Sequence, residues 1–406
     1  MRLKGIMGRM GEESIADKAI AATGRSGQAY AKFLSANDAG LTGGHQSGIL
    51  VGRRAWSFLF GNRDASDQIF KREVVIRWPM GEETTSKFTW YPSKGELRIT
   101  CFGRGFPYLA PEQAGALFVL TRHDFDHYEA FILDGDDAVD AWLDAFQLSP
   151  VDLNQVITTG TAALTYGEAE EKAILEWVDE LNLRDGGDFP KGETVSAKAR
   201  EIQEKIYDHT EYLRINPDLK LIEYTRVEYA LFRHMEQAKY MDSVRDGFDD
   251  LDAFVQLALS LLNSRKSRAG KGFENQIGAI LTANGLLFQE QVKTEGSKRP
   301  DFVFPSGAAY HDMGRSPDKL VVLAAKTTCK DRWRQILTEA KRMENEPKWL
   351  ITLQQGNSVQ QLNEMMEDNV RLIVPEPYIR SYPAEYRGSI WPFKKFIGYV
   401  REHAQD

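Results

Sequence analysis

The chain has 406 residues, more than a single hydrophobic core comfortably serves, so its length predicts two or three domains. Cys101 and Cys329 are its two cysteines, too few for a disulfide framework, which points to a reducing compartment and a cytoplasmic protein. No apolar run approaches the roughly 18 residues of a membrane span, the opening MRLKGIMGRMGEES lacks the apolar stretch of a signal peptide, and a formal charge of −8 tells against indiscriminate coating of nucleic acid while leaving room for a local basic surface.

In chain order, residues from about 30 to 160 read as short β segments between turns: EVVIRWPM, SKFTWYPS, ELRITCFGRG, GALFVLTR and EAFILDGD. Such spacing predicts a small all-β barrel or sandwich. HDFDH sets His123 and His127 four apart, but between two strand-like runs that spacing reads as a turn rather than a metal site. EAEEKAILEWVDELN then places Ile174, Trp177, Val178 and Leu181 on one helical face. LRDGGDFPKGE follows with the Gly, Pro and charge of a linker.

Beyond it, helical patterns run through VSAKAREIQEKIYDH, YTRVEYALFRHMEQAKYMD and LDAFVQLALSLLNS. NSRKSRAGKG carries Arg265, Lys266, Arg268 and Lys271 without an acid, a solvated loop or a local basic surface for DNA. In GFENQIGAILTANG, Phe273, Ile277, Ile280 and Leu281 share a face and Gly285 suits a C-terminal cap. PDFVFPS, LVVLAAK, KWLITL and VRLIVP are strand candidates, and their interleaving with helices predicts an α/β domain. There is no repeat, no low-complexity tract and no phosphate-cradling glycine loop that would imply ATP.

LVVLAAK ends a core-like strand on a lysine, Lys326, whose charge is costly to bury. Asp301 heads the preceding strand candidate, and the interval fits one strand, a connection and a return strand, bringing both side chains to one sheet edge. An acid and a lysine so placed suit metal-assisted phosphodiester hydrolysis: carboxylates hold a divalent ion and the lysine stabilises developing charge. The residue two before Lys326 is Ala324, so a second carboxylate must come from elsewhere. A helix starting near Asp331 would align Arg332, Gln335 or Ile336, and Glu339, and Glu274 lies at the edge of the apolar face of GFENQIGAIL. Either glutamate otherwise reads as an exposed helix charge.

Together, SRKSRAGK, EGSKRPDFVFPS, AAYHD and KTTCKDRWRQIL resemble the catalytic domain of the EcoRII restriction endonucleases, and LSANDAGLTGGHQSGI resembles the opening of that family's amino-terminal domain. The resemblance spans nearly the whole chain. It implies a multidomain protein: an all-β B3-like pseudobarrel effector domain over residues 1–165, a helical hinge and linker over 166–190, and an α/β nuclease domain of the PD-(D/E)xK type over 191–406. It further implies a homodimeric type IIE enzyme that uses Mg²⁺ to cut double-stranded DNA at a short sequence similar to CCWGG, W being A or T. Cleavage is then held back until effector DNA binds, because the amino-terminal domain covers the catalytic cleft. A cognate DNA methyltransferase is the implied genetic partner.

Residue by residue, the resemblance makes Asp301 and Lys326 the catalytic acid and lysine and Glu339 the displaced second acid, with Asp301 and Glu339 holding the metal. Glu274 fits a further acid, and Tyr310 and Lys330 are second candidates for the active site. Lys330, Asp331 and Arg332 form a DNA-reading set: arginine can donate twice to guanine and aspartate can accept from cytosine. In the amino-terminal domain Lys32, Asn37, Asp38, His45 and Gln46 fall in one DNA-embracing arm and Arg98 and Arg104 in the other. YPSKGEL is a shorter hairpin than the type member's. Two rivals stay open: a sequence-specific DNA-binding regulator on an inactive nuclease fold, and an enzyme that processes DNA structure rather than sequence.

Overall fold

The structure, a computed structural model, describes residues 13–41, 48–65, 67–103, 106–160, 167–207 and 211–405. His45, Gln46 and Arg104 lie outside the described residues.

Helix α1 (Ile15–Ser26) starts at a reciprocal cap between Ser14 and Asp17 and stops where Gly27 turns left-handed. There follow β1 (Gln28–Phe33), β2 (Ile49–Val51), α2 (Trp56–Phe60), β3 (Phe70–Arg77), β4 (Glu83–Tyr91), β5 (Glu96–Thr100), β6 (Leu117–Arg122), β7 (His127–Leu133), α3 (Asp136–Phe146) and β8 (Gln155–Thr158). Among the described residues these strands form one sheet of order β2-β5-β4-β3-β7-β6-β1-β8, antiparallel except for β3 beside β7. The sheet curls until its edges meet. Tyr30 Oη donates to Asn154 Oδ1 (2.7 Å) and accepts from Gly52 N (3.0 Å), and a Cβ on Gly52 would lie 2.7 Å from the Asn154 carbonyl oxygen.

The run LFVL in β6 is apolar throughout because it is buried on both sides. Phe118 and Leu120 face the inside of the curl with Tyr30, Ile76, Phe88 and Ile99. Leu117 and Val119 face outward onto Ala19 and Ala22 of α1 and Trp142 of α3. HDFDH is the tight turn from β6 to β7, with Asp124 Oδ1 accepting from the backbone N–H groups of Asp126 and His127. The all-β amino-terminal part expected from the strand spacing is what folds.

The second part comprises α4 (Glu168–Glu180), α5 (Gly192–Tyr207), α6 (Tyr212–Ile215), α7 (Pro217–Asp246), α8 (Leu251–Ala283), β9 (Gln289–Glu290), β10 (Phe302–Phe304), α9 (Gly307–His311), β11 (Val321–Lys326), β12 (Lys348–Thr352), α10 (Val359–Glu367), β13 (Val370–Ile373), α11 (Glu376–Ile379) and α12 (Phe393–His403). Its sheet has the order β13-β12-β11-β10-β9; β11, β12 and β13 are parallel, and β10 runs antiparallel to both neighbours. Residues of α7, α8 and α12 cover one face, while α10 and a 3-10 segment, Arg332–Thr338, cover the other. This is the predicted α/β architecture. No helix among the described residues is long and apolar enough to cross a membrane.

Two sequence readings change. NSRKSRAGKG is neither a loop nor a free basic surface: it is the middle of α8, which joins two predicted helices into one. Arg265 and Arg268 turn onto the buried Glu236, with Arg265 Nη2 2.8 Å from Glu236 Oε2, since a buried carboxylate demands a cation. The segment after Lys326 is also not an α-helix. Its 3-10 repeat of three residues per turn aligns Glu339 with the buried Trp333 and Ile336 rather than with Arg332 and Gln335.

Candidate active site

Antiparallel pairing of Phe302 with Leu323 sets the head of β10 beside the tail of β11, so Asp301 and Lys326 come to the same end of the sheet. Asp301 is buried, and its Oδ2 accepts the backbone N–H of Ala325 (2.8 Å), the residue before the lysine. Its Oδ1 accepts from Gln291 Nε2 (3.0 Å), which also reaches Glu274 Oε2 (3.4 Å). Lys271 Nζ lies 3.2 Å from the same Glu274 oxygen. Ala324 packs against Trp333, Ile336 and Leu350, leaving no room for an acid on that stretch of strand. The 3-10 segment that covers it delivers Glu339 instead.

The five charged groups feel one another. Burial raises Glu274, with repulsion from Asp301 adding to it and Lys271 and Lys326 opposing. Burial pushes Glu339 up to about 7 against the attraction of Lys326, and Asp301 again repels. Among the described residues no three His, Cys, Asp or Glu side chains already form a metal cluster. The donor chemistry nevertheless fits a hard divalent cation: Asp301, Glu274 and Glu339 are carboxylates, burial and then repulsion from Asp301 disfavour the charge of the two glutamates, and an added cation would relieve both.

The segment expected to read DNA packs against the amino-terminal part. Lys330 is buried and Arg332 half-buried against α3 of the amino-terminal part, while Asp331 beside them stays exposed. Asp136, at the first position of α3, accepts the backbone N–H groups of Lys330 (2.8 Å), Asp331 (2.8 Å) and Arg332 (2.9 Å). Lys330 Nζ pairs with Asp134, and Arg332 Nη2 with Asp140 and Asp137. Thr328 Oγ1 adds a bond to Asp140 Oδ1 (2.9 Å). Burial works to raise Asp136, but its bonds to Asp331 and to the three N–H groups overcome this and hold it below the usual range. Asp331 is pushed up to about 6, first by its hydrogen bond to Asp136 and then by burial.

Other predicted residues are used inside the fold. Tyr310 is buried and donates to Glu295 Oε1 (2.6 Å). Lys330 is likewise buried and engaged by Asp134. In the first candidate arm Asp38 is buried, binding Lys32 Nζ (2.6 Å), Ser35 Oγ (2.7 Å) and Leu50 N (2.8 Å). Lys32 is thereby committed too, and Asn37 is half-buried beside them. Arg98 is buried against Glu96 (3.0 Å). Asp38, Lys32 and Arg98 thus each have a partner within the amino-terminal part.

Sequence reasoning missed Gln291 and the α3 acids. Gln291 carries no motif and joins the site through strand pairing. The acids were visible: in DGDDAVDAWLD, Asp136, Asp140 and Asp144 recur every four residues, a one-sided acidic face.

A family model described as the amino-terminal domain of restriction endonuclease EcoRII matches residues 23–148, and one described as EcoRII C terminal matches residues 232–397. The chain is 34% identical over 398 residues to the type II restriction enzyme EcoRII of Escherichia coli, covering 91% of this chain and 92% of that protein. It is 29% identical over 141 residues to the type II restriction enzyme SsoII of Shigella sonnei, covering 32% of this chain and 45% of that one. Among solved structures, metal-depleted Ecl18kI in complex with uncleaved, modified DNA superposes with a TM-score of 0.46 at 21% identity, over 60% of this chain and 85% of that chain. A complex of restriction endonuclease PspGI with substrate DNA superposes with a TM-score of 0.45 at 16% identity, over 53% and 93%.

Proposed function

Because the chain belongs to the EcoRII family of type II restriction enzymes, and so is a site-specific deoxyribonuclease acting on double-stranded DNA, we propose that it cuts a short sequence similar to CCWGG with Mg²⁺, and that effector DNA bound to its amino-terminal part releases a restrained catalytic part. The observation that carries the chemistry is the convergence of Asp301, Glu274 and Glu339 on Lys326 at one sheet end. Bound there, Mg²⁺ supplies a Lewis acid and an activated water for attack on phosphorus. Asp301 and Glu339 hold the ion, with Glu274 as a third acid. Lys326 stabilises charge developing on the attacked phosphate. Asp301 needs no reorganisation, since both its oxygens are already fixed by hydrogen bonds.

The contact between α3 and residues 330–332 supports the restraint. Side chains that would read a G·C pair are neutralised by Asp134, Asp137 and Asp140, so DNA must displace an acidic surface to reach them. Lys330, Asp331 and Arg332 therefore read DNA in the released state.

A homodimer is supported by an exposed apolar row on α8: Leu251, Phe254, Val255, Leu259 and Leu262. A restriction enzyme of this specificity works beside a methyltransferase that protects the host's own sites.

The test is incubation of full-length protein with plasmid and Mg²⁺, with and without added CCWGG duplex, followed by sequencing of fragment ends. Ends sharing one short sequence, produced faster with added duplex, support the proposal. Binding without cutting favours a regulator, and ends sharing no sequence favour a structure-processing enzyme.

A further inference from the structure

Gln291 lies just past β9 with φ +51°, a left-handed conformation that costs a residue bearing a Cβ and persists where the surroundings enforce it. Here Asp301 enforces it from two directions. Gln291 N donates to the Asp301 carbonyl oxygen (3.2 Å), and Gln291 Nε2 donates to Asp301 Oδ1 (3.0 Å) and reaches Glu274 Oε2 (3.4 Å). One amide thus ties an acid at the head of a strand to an acid on α8.

Resting on the nuclease reading above, we propose that Gln291 is a positioning residue that presets Asp301 and Glu274 for a divalent cation. Two acids brought together inside a protein repel, and the ordinary relief is a shared proton or a neutralising cation. A proton would remove the charge the metal needs. A lysine between the two would compete with the metal for both acids, whereas Lys271 reaches Glu274 alone (3.2 Å) and leaves Asp301 to the amide. An amide donates two directional hydrogen bonds and leaves both carboxylates charged, and each ionised oxygen has a further lone pair for the ion. Gln291 therefore fixes the spacing of the pair before any cation arrives, and the left-handed backbone is what aims its amide between them.

The test compares full-length wild type with Gln291→Met, which keeps the length and loses the donors, and Gln291→Gly, which suits the left-handed backbone and also loses the amide. Two titrations are read: plasmid cleavage rate against Mg²⁺, and melting temperature against Ca²⁺ as a hard-cation probe that does not require turnover. Both variants are expected to need about tenfold more of either ion for half-effect, to recover most of the rate at saturating Mg²⁺, and to melt without metal near the wild-type temperature, Gln291→Gly higher. Wild-type midpoints in Gln291→Gly overturn the proposal, because a residue that merely shapes the backbone is improved by glycine. Should Gln291→Met fail to fold, Gln291→Gly decides alone. If wild type itself neither cuts with Mg²⁺ nor gains stability with Ca²⁺, the nuclease reading fails and this inference with it.

Discussion

At the scale of single residues, the site is built from groups whose charge the fold makes costly, and each can be tested through that cost. Lys326 ends a buried strand and attracts Glu274 and Glu339. Lys326→Ala is expected to lower the cleavage rate by at least two orders of magnitude while leaving gel-shift affinity for the target within a few-fold, as loss of a charge-stabilising group should. Glu339 gives a sharper prediction because its carboxyl is pushed up to about 7. A raised acid binds its proton more tightly folded than unfolded, so its contribution is favourable at low pH and is lost as pH rises from the ordinary carboxylate range through 7. Glu339→Gln is therefore expected to be inactive yet, without metal, to be more stable than wild type at pH 8 by on the order of 1–2 kcal/mol after allowance for partial exposure. The gain should vanish near pH 5; denaturant melts at the two pH values measure it.

At the scale of elements, α3 meets the segment 330–332 end to end, and Asp136 is the centre of the contact. One carboxylate serves three successive backbone N–H groups, an arrangement that is strong when ionised and leaves buried donors unsatisfied when removed. Asp136→Ala should raise the cleavage rate measured without added duplex about tenfold, with little change once effector duplex saturates. Equal rates with and without duplex in wild type would remove the basis for any such release. The contact also carries a pH sense. Asp331 is raised to about 6 by the carboxyl it touches, so closure is favoured when Asp331 is protonated and loosens as pH rises through that value. Hydrogen exchange at the amides of residues 330–332, independent of catalysis, should accelerate across that range more steeply than their intrinsic rates do, and Asp331→Asn should abolish the excess.

At the scale of the whole molecule, the two sheets are locked by more than charge. Gly115 of the β part sits against the nuclease part so closely that a Cβ would lie 2.1 Å from the carbonyl oxygen of Gly356. Gln354 Nε2 donates to the carbonyl of Gly115 (2.8 Å), and Arg233 Nη1 to that of Gln147 (2.9 Å). Removing residues up to about Gly186 should give a nuclease that cuts single-site DNA without a second duplex; an inactive, well-folded fragment would count against restraint by the amino-terminal part. The exposed row on α8 bears on assembly. Leu259→Glu, placing charge at the middle of that row, is expected to turn a dimer into a monomer in sedimentation at micromolar concentration without changing the melting temperature by more than a few degrees.

How much of this was legible beforehand follows from the range of the forces involved. Alternation in the amino-terminal strands, the helical face of Ile277 and Ile280, and the strand that ends in Lys326 are written in neighbouring residues, because periodicity is a local consequence of burying one face. Asp301, Glu339 and Glu274 were legible as candidates, since their spacing and types suit phosphodiester chemistry. What local pattern did not contain was the 3-10 winding that brings Glu339 round, the continuity of α8 through a cationic run, and the burial of Asp38, Arg98 and Tyr310 among partners of their own. Nor did it contain Gln291 or the acids of α3 at their posts. Those depend on which distant segments come into contact, and a charged or amide side chain takes its role from the partner that desolvation forces on it. The sequence by itself determined two architectures and the candidate residues for chemistry in the second; tertiary packing alone decided which acids lie at the lysine's end of the sheet and which carboxylates of the amino-terminal part pair with Lys330 and Arg332.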